Sequence, residues 1–549
     1  MKKSILSASI AAMIGGLGLV GMAQAGVHMD AANPDNAVAV GNLATVTAAT
    51  TMAINEAGIG HILLVPYFTT QGTNATLLNI TNTDTNGKVV KVRFRGASNS
   101  DDIFDFTLLL SPGDVWAAKI SQGADGRSQL ETGDKSCTLP SIVATQANSF
   151  PTNRLKASLT DAEKAAETRE GYIEILNMAN VPKAVQAPAQ VVAAGVTANP
   201  LWTAIKHVGG VAPCTAGVLA TLMTNTTSYN NGAAADAAAN SAQGKGMAFP
   251  SGGLMANWTI IDTVKTATFS GAAVAVRAGT AAAPNANVVF FPQSDASAGN
   301  VDALTADPLM QTAGGNIFRF DPATGTVAAG SGTPMIPASF YDLPDLSTPY
   351  LALAAPNTPF THAEALTAQL AAKSVINEYL TTTSIAATTD WVFSMPTRRY
   401  NVAMNYAYNS PVGGDGRVRS VWTNNYFDFT NTSVSNGKIC VAADTGAAGV
   451  NQWDREETTT SSQFVISPGA VTNVRFCGET SVLAINNGTN TTSGSLSSTL
   501  ALQNLNVTSN EGWISLGTSG LATRGLPILG GAFAKSSAFG AMWPHRYTR

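Results

Sequence analysis

The fold class is decided by a stretch near the N-terminal end of this 549-residue chain: "HILLVPYFT" (61–69), "ATLLNIT" (75–81), "KVVKVRFRG" (88–96) and "IFDFTLLL" (103–110). Each segment is rich in β-branched or aromatic residues and is bounded by Gly, Pro, Asn or Asp, which is typical of a β-strand. We predict that the four strands pair antiparallel in chain order. Because their apolar face needs a second sheet to cover it, they are predicted to form half of a β-sandwich.

The third segment sets the predicted orientation of this sheet. Its apolar residues alternate with Lys91, Arg93 and Arg95, and successive side chains of a strand point to opposite faces. We therefore predict an apolar face turned inward and a basic face turned toward solvent. The pair Asn86 and Gly87, just before this segment, tolerates the positive φ of a tight turn, which predicts a hairpin between the second and third strands.

Part of the pattern recurs near the other end of the chain. "NTDTNGKVV" (82–90) is echoed by "NTSVSNGKIC" (431–440), and "LSPGDV" (110–115) is echoed by "ISPGAV" (466–471). The motifs follow the same order in both places, as in an internal repeat. The chain is therefore predicted to be mainly β, with two related Ig-like antiparallel β-sandwich units and a mixed middle region between them.

Two segments have helical patterns instead. Thr160 and Glu163 form the capping-box pattern that opens a helix. The segment 362–380 has apolar residues at helical spacing and a run of strong helix formers, so it is predicted to be a helix. The predicted organisation is a signal peptide (1–25), an N-terminal extension (26–57), a β-sandwich (58–180), a β-rich middle region with insertions (181–385), a second β-sandwich (386–535) and a tail (536–549).

The first 25 residues predict export from the cytoplasm. Lys2 and Lys3 precede an apolar run, and Ala23 and Ala25 flank Gln24 in the A-x-A pattern of a signal-peptide cleavage site. We therefore predict an exported protein that is located at the cell surface or outside the cell. Disulfides persist in such a compartment.

Low charge is the main feature of the composition. Asp, Glu, Lys and Arg make up 12% of the residues, which is about half of their share in a typical soluble protein. Without Lys2 and Lys3 the chain has 29 basic and 35 acidic residues, a net charge of −6, which argues against nucleic acid as a partner. A polar but uncharged surface gives little mutual repulsion and so favours association between copies.

The predicted site residues are the four cysteines, Cys137, Cys214, Cys440 and Cys477. An even number in an exported chain indicates two disulfides, for which three connectivities exist. The pairing of sequence neighbours, 137 with 214 and 440 with 477, is favoured. Neither pair has C-x-x-C spacing or a nearby His as a second ligand, which disfavours a redox or zinc site.

Motifs of the common enzyme classes are missing from the sequence. It contains no H-E-x-x-H, no G-x-S-x-G and no G-x-x-x-x-G-K-[ST]. We interpret the internal histidines His61, His207 and His362 as structural. The sequence therefore predicts a protein that is not an enzyme and has no cofactor.

Carboxylates and oxygen-rich turns leave two kinds of site open. Glycoside hydrolysis needs only two carboxylates, and their spacing in sequence is free. The candidate carboxylates are Asp101, Asp102, Asp105, Glu170, Glu174, Asp454, Glu456 and Glu457. The turns at 84–87, 99–102 and 413–417 could supply calcium ligands, although none completes an EF-hand or nonapeptide pattern. Calcium therefore stays open and unassigned.

Several segments resemble a known group of proteins. They are "HILLVPYF", "NITNTDTNGKVVKVRFRG", "DFTLLLSPGDVWAA", "REGYIEILNMA", "DWVFSMPTRR" and "GLPILGGAFA", spread from residue 58 to residue 535. Together they look like a family of secreted cell-surface proteins of Gram-negative bacteria, described as surface or S-layer-like proteins. The resemblance implies a β-rich extracellular structural protein and brings no active site with it.

We therefore expect a non-enzymatic exported structural protein of the cell surface that associates laterally with itself into a coat or S-layer-like array. Outer-membrane surface components are further candidate partners. Two alternatives remain open. One is an exported adhesin or glycan-binding module, in which Trp422, Tyr426 and Trp453 would cluster in a concave patch. The other is a secreted hydrolase that uses dispersed carboxylates.

Overall fold

A computed structural model places 48% of the residues in strands and 11% in helices, which confirms the mainly β class. Most strand pairs are antiparallel, and the sandwich arrangement fits the sheets described below. The structure describes residues 49–142, 146–186, 196–223, 244–264, 267–279, 286, 318–321, 326–329, 346, 350–351, 359–404, 406, 417–420, 426–445, 449–456, 459–460, 474–537 and 539–549.

The strands and helices are numbered in chain order. The strands of the first half are β1 (Met52–Ile54), β2 (Ile62–Thr69), β3 (Asn74–Asn82), β4 (Gly87–Gly96), β5 (Asp102–Leu110), β6 (Val115–Gln122), β7 (Ser128–Glu131), β8 (Cys137–Leu139), β9 (Asn148–Ser149), β10 (Glu170–Val181), β11 (Ala184–Gln186), β12 (Val196–Ala198), β13 (Leu254–Asp262), β14 (Thr268–Ala272) and β15 (Val274–Ala278). The remaining strands are β16 (Phe318–Asp321), β17 (Thr326–Ala329), β18 (Ala371–Ala372), β19 (Ser374–Leu380), β20 (Ala387–Ser394), β21 (Val402–Met404), β22 (Arg417–Ser420), β23 (Thr432–Ser435), β24 (Lys438–Ala442), β25 (Val450–Asp454), β26 (Thr459–Thr460), β27 (Arg475–Cys477), β28 (Thr480–Ile485), β29 (Leu502–Leu505), β30 (Glu511–Gly517), β31 (Leu526–Pro527), β32 (Leu529–Ser536), β33 (Phe539–Pro544) and β34 (Arg546–Thr548). The α-helices are α1 (Asp161–Glu167), α2 (Pro200–Ile205), α3 (Ala216–Leu219) and α4 (Pro359–Leu370), and the 3-10 helices are Ala220–Met223, Thr383–Ile385, Arg398–Tyr400 and Leu521–Thr523.

The first unit contains two antiparallel sheets. Sheet A has the strand order β1-β15-β2-β10-β4-β5-β8, and sheet B has the order β14-β13-β3-β6-β7-β9. Alternate residues of both sheets meet in one hydrophobic core, as in a sandwich. This core includes Leu63, Leu78, Val92, Phe106, Trp116 and Trp258. Strands β13 to β15 complete both sheets, so the first unit extends beyond its predicted end at residue 180.

The predicted antiparallel pairing in chain order holds for β4 with β5 and is wrong for the other strands. Strands β2, β4 and β5 lie in sheet A, whereas β3 lies in sheet B, so the chain changes sheet between β3 and β4. Neither Asn86 nor Gly87 has a positive φ, and no hairpin forms there. Close packing explains the glycine at position 87 instead, because a Cβ there would lie 2.7 Å from Ile205 Cδ1.

The predicted solvent-facing basic surface is also wrong. The side chains of Lys91, Arg93 and Arg95 are fully buried. The outer face of sheet A contributes to a second hydrophobic cluster, to which Leu366 of α4 and Tyr400 also belong. Alternation in a strand separates its two faces, but the sequence pattern of one strand does not show what covers the second face.

The predicted helix at 362–380 is present only in its first part. Helix α4 ends at Leu370, and Ser374–Leu380 forms strand β19, which pairs with β30 and β34. In β19 the buried residues Val375, Asn377 and Tyr379 alternate with more exposed ones, which is the period of a strand. Apolar residues in so short a segment fit both periods, and pairing with two neighbouring strands decides between them.

The capping box predicted at residue 160 is confirmed. Thr160 Oγ1 accepts a hydrogen bond from the Glu163 backbone N–H, and the Glu163 carboxylate accepts one from the Thr160 backbone N–H. Helix α1 begins at the next residue, Asp161. The reciprocal bonds satisfy two N–H groups that the helix itself leaves without partners.

The second unit is built around sheet C, with the order β29-β28-β20-β32-β33. Sheet D (β26-β25-β30-β19-β34) and the three-stranded sheet E (β23-β24-β27) contribute to the core on one side of it. In β20, Trp391 and Phe393 point into this core, whereas Val392 points into the core of the first unit. Sheet C therefore separates the two cores and takes part in both. The smaller sheets are β11-β12, β18-β31 and β16-β17-β22-β21.

The repeated N-G-K motif does not have the same structure in its two places. Asn436 and Gly437 have φ values of 50° and 73° and connect β23 to β24 in a hairpin. The equivalent pair in the first unit, Asn86 and Gly87, lies where the chain passes from β3 of sheet B to β4 of sheet A. The other predicted echo, at 466–471, lies outside the described residues, as does the predicted signal peptide.

Candidate functional site

Both disulfides join the cysteine pairs that the sequence favours. Cys137 of β8 is bonded to Cys214, with their Cα atoms 5.4 Å apart. Cys440 and Cys477 lie in register on the neighbouring strands β24 and β27. All four cysteines are used, which is consistent with export into an oxidising compartment.

A buried carboxylate on β10 joins the two units. Glu174 forms ion pairs with Arg95 of β4 at 3.2 Å and with Arg399 of the second unit at 2.9 Å. Its Oε1 also accepts a hydrogen bond from Tyr172 at 3.2 Å. The Arg399 guanidinium donates further bonds to Ser100 Oγ at 3.1 Å and to the Tyr172 hydroxyl. All three charged side chains are inaccessible to solvent.

A second carboxylate on the same strand makes a similar connection. Glu170 Oε2 accepts hydrogen bonds from the hydroxyls of Tyr67 and Ser498, each at 2.7 Å. Glu170 Oε1 accepts bonds from Gln71 Nε2 at 3.1 Å and from the Leu500 backbone N–H at 2.7 Å. Since Ser498 and Leu500 belong to the second unit, this carboxylate also holds the two units together.

Two of the other candidate carboxylates are engaged in buried ion pairs. Asp102 pairs with Arg154 at 2.6 Å and with Arg93 at 3.6 Å, and Asp105 lies 3.6 Å from Lys91. Asp454 accepts the backbone N–H of Glu456 in an exposed turn, and Glu457 lies outside the described residues.

Asp101 is the exception, because it lines a cavity between the two units. The cavity has a volume of about 160 Å³. Its walls come from the β4–β5 connection, the segment around α1, Tyr406 and the β23–β24 hairpin. The lining residues are Ser98, Asn99, Asp101, Leu155, Lys156, Leu159, Glu167, Tyr406, Asn436, Gly437 and Lys438. Asn436 and Gly437 are exposed, so the cavity communicates with solvent.

Burial shifts the ionisable groups of this cavity toward their neutral forms. It raises the pKa of Asp101 to about 7, against the hydrogen bond from Tyr406, whose hydroxyl lies 2.6 Å from Asp101 Oδ2. Burial also raises the pKa of Glu167 and lowers the pKa of Lys438. Shifted groups that converge in one cavity are a mark of functional sites.

Of the three aromatic residues that a glycan-binding patch would bring together, the described ones, Tyr426 and Trp453, have different surroundings. Tyr426 is buried in the second core, and Trp422 lies outside the described residues. Trp453 stacks instead on Trp513 of the neighbouring strand, with ring centroids 3.8 Å apart and planes inclined by 10°. Trp513 is one of the few exposed large apolar side chains among the described residues.

The predicted tail contains an apolar surface that the sequence reasoning missed. Phe539, Ala541 and Trp543 lie on one face of β33, and all three are exposed, Phe539 by 79% and Trp543 by 38%. Exposed Ile385 lies beside them, since its carbonyl accepts a bond from Ser536, which pairs with Phe539. We call Phe539, Ala541, Trp543 and Ile385 the β33 patch. The F-x-A-x-W alternation could have revealed it.

His61 and His362, which the sequence analysis interprets as structural, are both buried. His61 Nε2 lies 3.0 Å from the Pro250 carbonyl, and its Nδ1 accepts the Ala278 N–H. Burial lowers the pKa of His61 to about 3 and the pKa of His362 to about 4. His207 lies at the surface of the first unit, 3.3 Å from an Asp114 oxygen.

The oxygen-rich turns at 84–87 and 99–102, named above as possible sources of calcium ligands, do not form a recognisable metal site. Asp84 of the first turn is paired with Lys88 at 2.6 Å, and in the second Asp102 is held by Arg154. Most of 413–417 lies outside the described residues. Among the described residues, no group of three or more His, Cys, Asp or Glu side chains is placed to hold a metal ion.

Comparison with known proteins does not narrow the function. No family model matches the chain, and no match was found among curated proteins or solved structures. The resemblance to S-layer-like surface proteins therefore stays a prediction. Within the described ranges, no helix has both the length and the apolar character required to cross a bilayer.

Proposed function

We propose that this protein is a non-enzymatic structural protein, exported to the cell surface, whose copies associate laterally into a coat or S-layer-like array. The observation that carries the proposal is the β33 patch. None of the six residues of β33 is charged, and three of them are exposed apolar residues on one face. Exposed apolar surfaces of this kind mark sites of protein association.

The position of β33 in the fold favours contact through its side chains. It is the outermost strand of sheet C, where a further strand could add. However, β14 lies against it, since a Cβ at Gly540 would lie 2.7 Å from the Thr268 carbonyl oxygen. Because successive side chains of a strand point to opposite faces, β14 covers the face opposite to Phe539, Ala541 and Trp543, and their exposed face is what remains for a second copy.

The energetics suit an array better than an isolated dimer. Full burial of a large apolar side chain contributes about 1.5–3 kcal/mol, and two such residues leave little after the entropy cost of association. Contacts that repeat across an array add to one another. The small share of charged residues keeps the repulsion between copies low. We assign the patch to a second copy of the chain because its own chemistry, apolar and uncharged, is complementary to itself.

The internal structure supports a load-bearing role over a catalytic one. Two disulfides and the carboxylates Glu170 and Glu174 tie the chain together, and three of the eight candidate catalytic carboxylates, Asp102, Asp105 and Glu174, are occupied in buried ion pairs.

Sedimentation velocity and negative-stain microscopy of the full chain, with and without calcium, test the proposal. Wild type is expected to form larger species as its concentration rises, and Phe539→Lys to stay monomeric. Val208→Lys is the matched control, because Val208 is 72% exposed at a different place on the surface. A wild type that remains monodisperse under every condition, or a Phe539→Lys variant that assembles equally well, contradicts the proposal.

The stacked tryptophans favour a second candidate function, glycan binding. Trp453 and Trp513 stand on the outer face of sheet D, and Trp513 is exposed. In a glycan screen, binding that is lost in Trp513→Ala and kept in Phe539→Lys would support an adhesin. Absence of binding to every glycan would eliminate it.

A further inference from the structure

We propose that the cavity between the two units binds a small organic molecule that carries a primary ammonium group. The cavity is lined by Asp101, Asn99, Tyr406, Glu167 and Lys438, among others. It lies apart from the β33 patch, so this inference does not depend on lateral association.

Two buried acceptor oxygens of the cavity-lining residues have no hydrogen-bond donor. Asp101 and Asn99 are each at least nine-tenths buried, and Asp101 Oδ1 and Asn99 Oδ1 have no hydrogen-bond partner within the described part of the chain. Both oxygens are hydrogen-bond acceptors, and leaving a buried acceptor without a donor costs about 1–3 kcal/mol. A ligand that brings N–H or O–H donors would remove this cost.

Asp101 differs from nearby buried carboxylates in its charged surroundings. The nearby buried carboxylates Asp102, Glu174 and Glu479 each pair with a guanidinium, whereas none of the ion pairs in the described ranges includes Asp101. A buried carboxyl without a cation has a raised pKa, as Asp101 does. The ammonium group of Lys438 is directed to the Leu500 carbonyl oxygen. A positive charge supplied from outside the chain would therefore give the ionised form of Asp101 the kind of partner that these three carboxylates have.

The size of the cavity limits what it can hold. Tyr406 holds Asp101 Oδ2 at 2.6 Å, so Oδ1 is the carboxylate oxygen that has no partner. The volume of 160 Å³ corresponds to several water molecules at about 30 Å³ each. A short aminoalkyl group fits this space, whereas the described residues place no group of three or more His, Cys, Asp or Glu side chains to hold a metal ion.

Calorimetric titration of the full chain with ethanolamine and ethylene glycol tests the inference. The two probes differ only in that an ammonium group replaces a hydroxyl. We expect ethanolamine to bind and ethylene glycol not to bind. Asp101→Asn should weaken ethanolamine binding at least tenfold, and Tyr406→Phe, which keeps the carboxyl, should weaken it less. Asp125→Asn, at an exposed aspartate, is the matched control and should bind like wild type.

The pH dependence gives an independent readout. An ammonium ligand needs the ionised Asp101, whose neighbours are Glu167, Arg95, Asp102 and Tyr406. With a pKa of about 7, the affinity should rise about tenfold between pH 6 and pH 8, as the ionised fraction rises. Circular dichroism checks that each variant is folded. Equal binding of ethylene glycol, wild-type affinity in folded Asp101→Asn, or no binding of ethanolamine at pH 8 would each overturn the inference.

Discussion

The buried carboxylate Glu174 provides the sharpest test of how the two units are held together. Replacing it with Gln keeps the shape and one acceptor oxygen but removes the charge that faces Arg95 at 3.2 Å and Arg399 at 2.9 Å. Both guanidiniums have no solvent exposure, so water cannot replace the lost carboxylate. Removing one partner of a buried ion pair costs about 3–5 kcal/mol, and we expect Glu174→Gln to cost about 4 kcal/mol.

Urea unfolding of the full chain measures this cost. Glu131→Gln is the matched control, because Glu131 pairs with Lys119 at 2.5 Å while both side chains are about 40% exposed. An exposed pair of this kind contributes less than about 1 kcal/mol. We expect the midpoint of unfolding to fall clearly for Glu174→Gln and hardly at all for Glu131→Gln, with similar slopes.

A double-mutant cycle with Arg95→Met separates the ion pair from the packing. Since the charge interaction is already lost in Glu174→Gln, the double variant should cost less than the sum of the two single ones, by about 1–3 kcal/mol. If Glu174→Gln lowers the unfolding free energy no more than Glu131→Gln does, the reasoning that a buried ionic junction holds the units together is refuted.

Three further variants test particular contacts. Gly171→Ala should reduce the folded yield severely, because its Cβ would lie 1.8 Å from a β4 carbonyl oxygen, whereas Gly133→Ala, with open space around it, should be neutral in the same expression and unfolding assay. Replacing Cys137 and Cys214 together by Ser should lower the unfolding free energy by about 2–4 kcal/mol, measured against wild type without reductant. Burial lowers the pKa of His545 to about 3, so the folded state takes up this proton at a lower pH than the unfolded chain does. Stability is therefore lost as the pH falls below about 6.5, by about 2 kcal/mol between pH 6.5 and pH 5 for one such group. Unfolding curves at both pH values should show a smaller loss for His545→Gln than for wild type.

Local patterns predicted the elements of this fold better than their arrangement. The strands at 62–69, 74–82, 87–96 and 102–110 are present, because β-branched runs between turn residues have few other stable conformations in water. Their order was missed, since strands of one sandwich can lie in either sheet with the same one-sided pattern. Residues 374–380 became a strand for a related reason: two neighbours were available for pairing.

The candidate site was predicted only in part. Asp101 was recognised as a carboxylate of interest, but its neighbours Tyr406 and Lys438 are separated from it by more than three hundred residues in the chain. Their convergence depends on how the second unit packs on the first. The stacking of Trp453 on Trp513 likewise required the register of β25 and β30, which no local pattern encodes.

Composition and short-range patterns were enough to predict the mainly β class, the cap of helix α1 and the low charge, and they favoured the cysteine pairing that the structure contains. The burial of Lys91, Arg93 and Arg95 and the apolar face of β33 depend on the packing of the whole chain. Whether a side chain is buried depends on what packs against its face of the strand. Segments distant in sequence supply that covering, and here they turned an expected basic surface into the interior of the molecule.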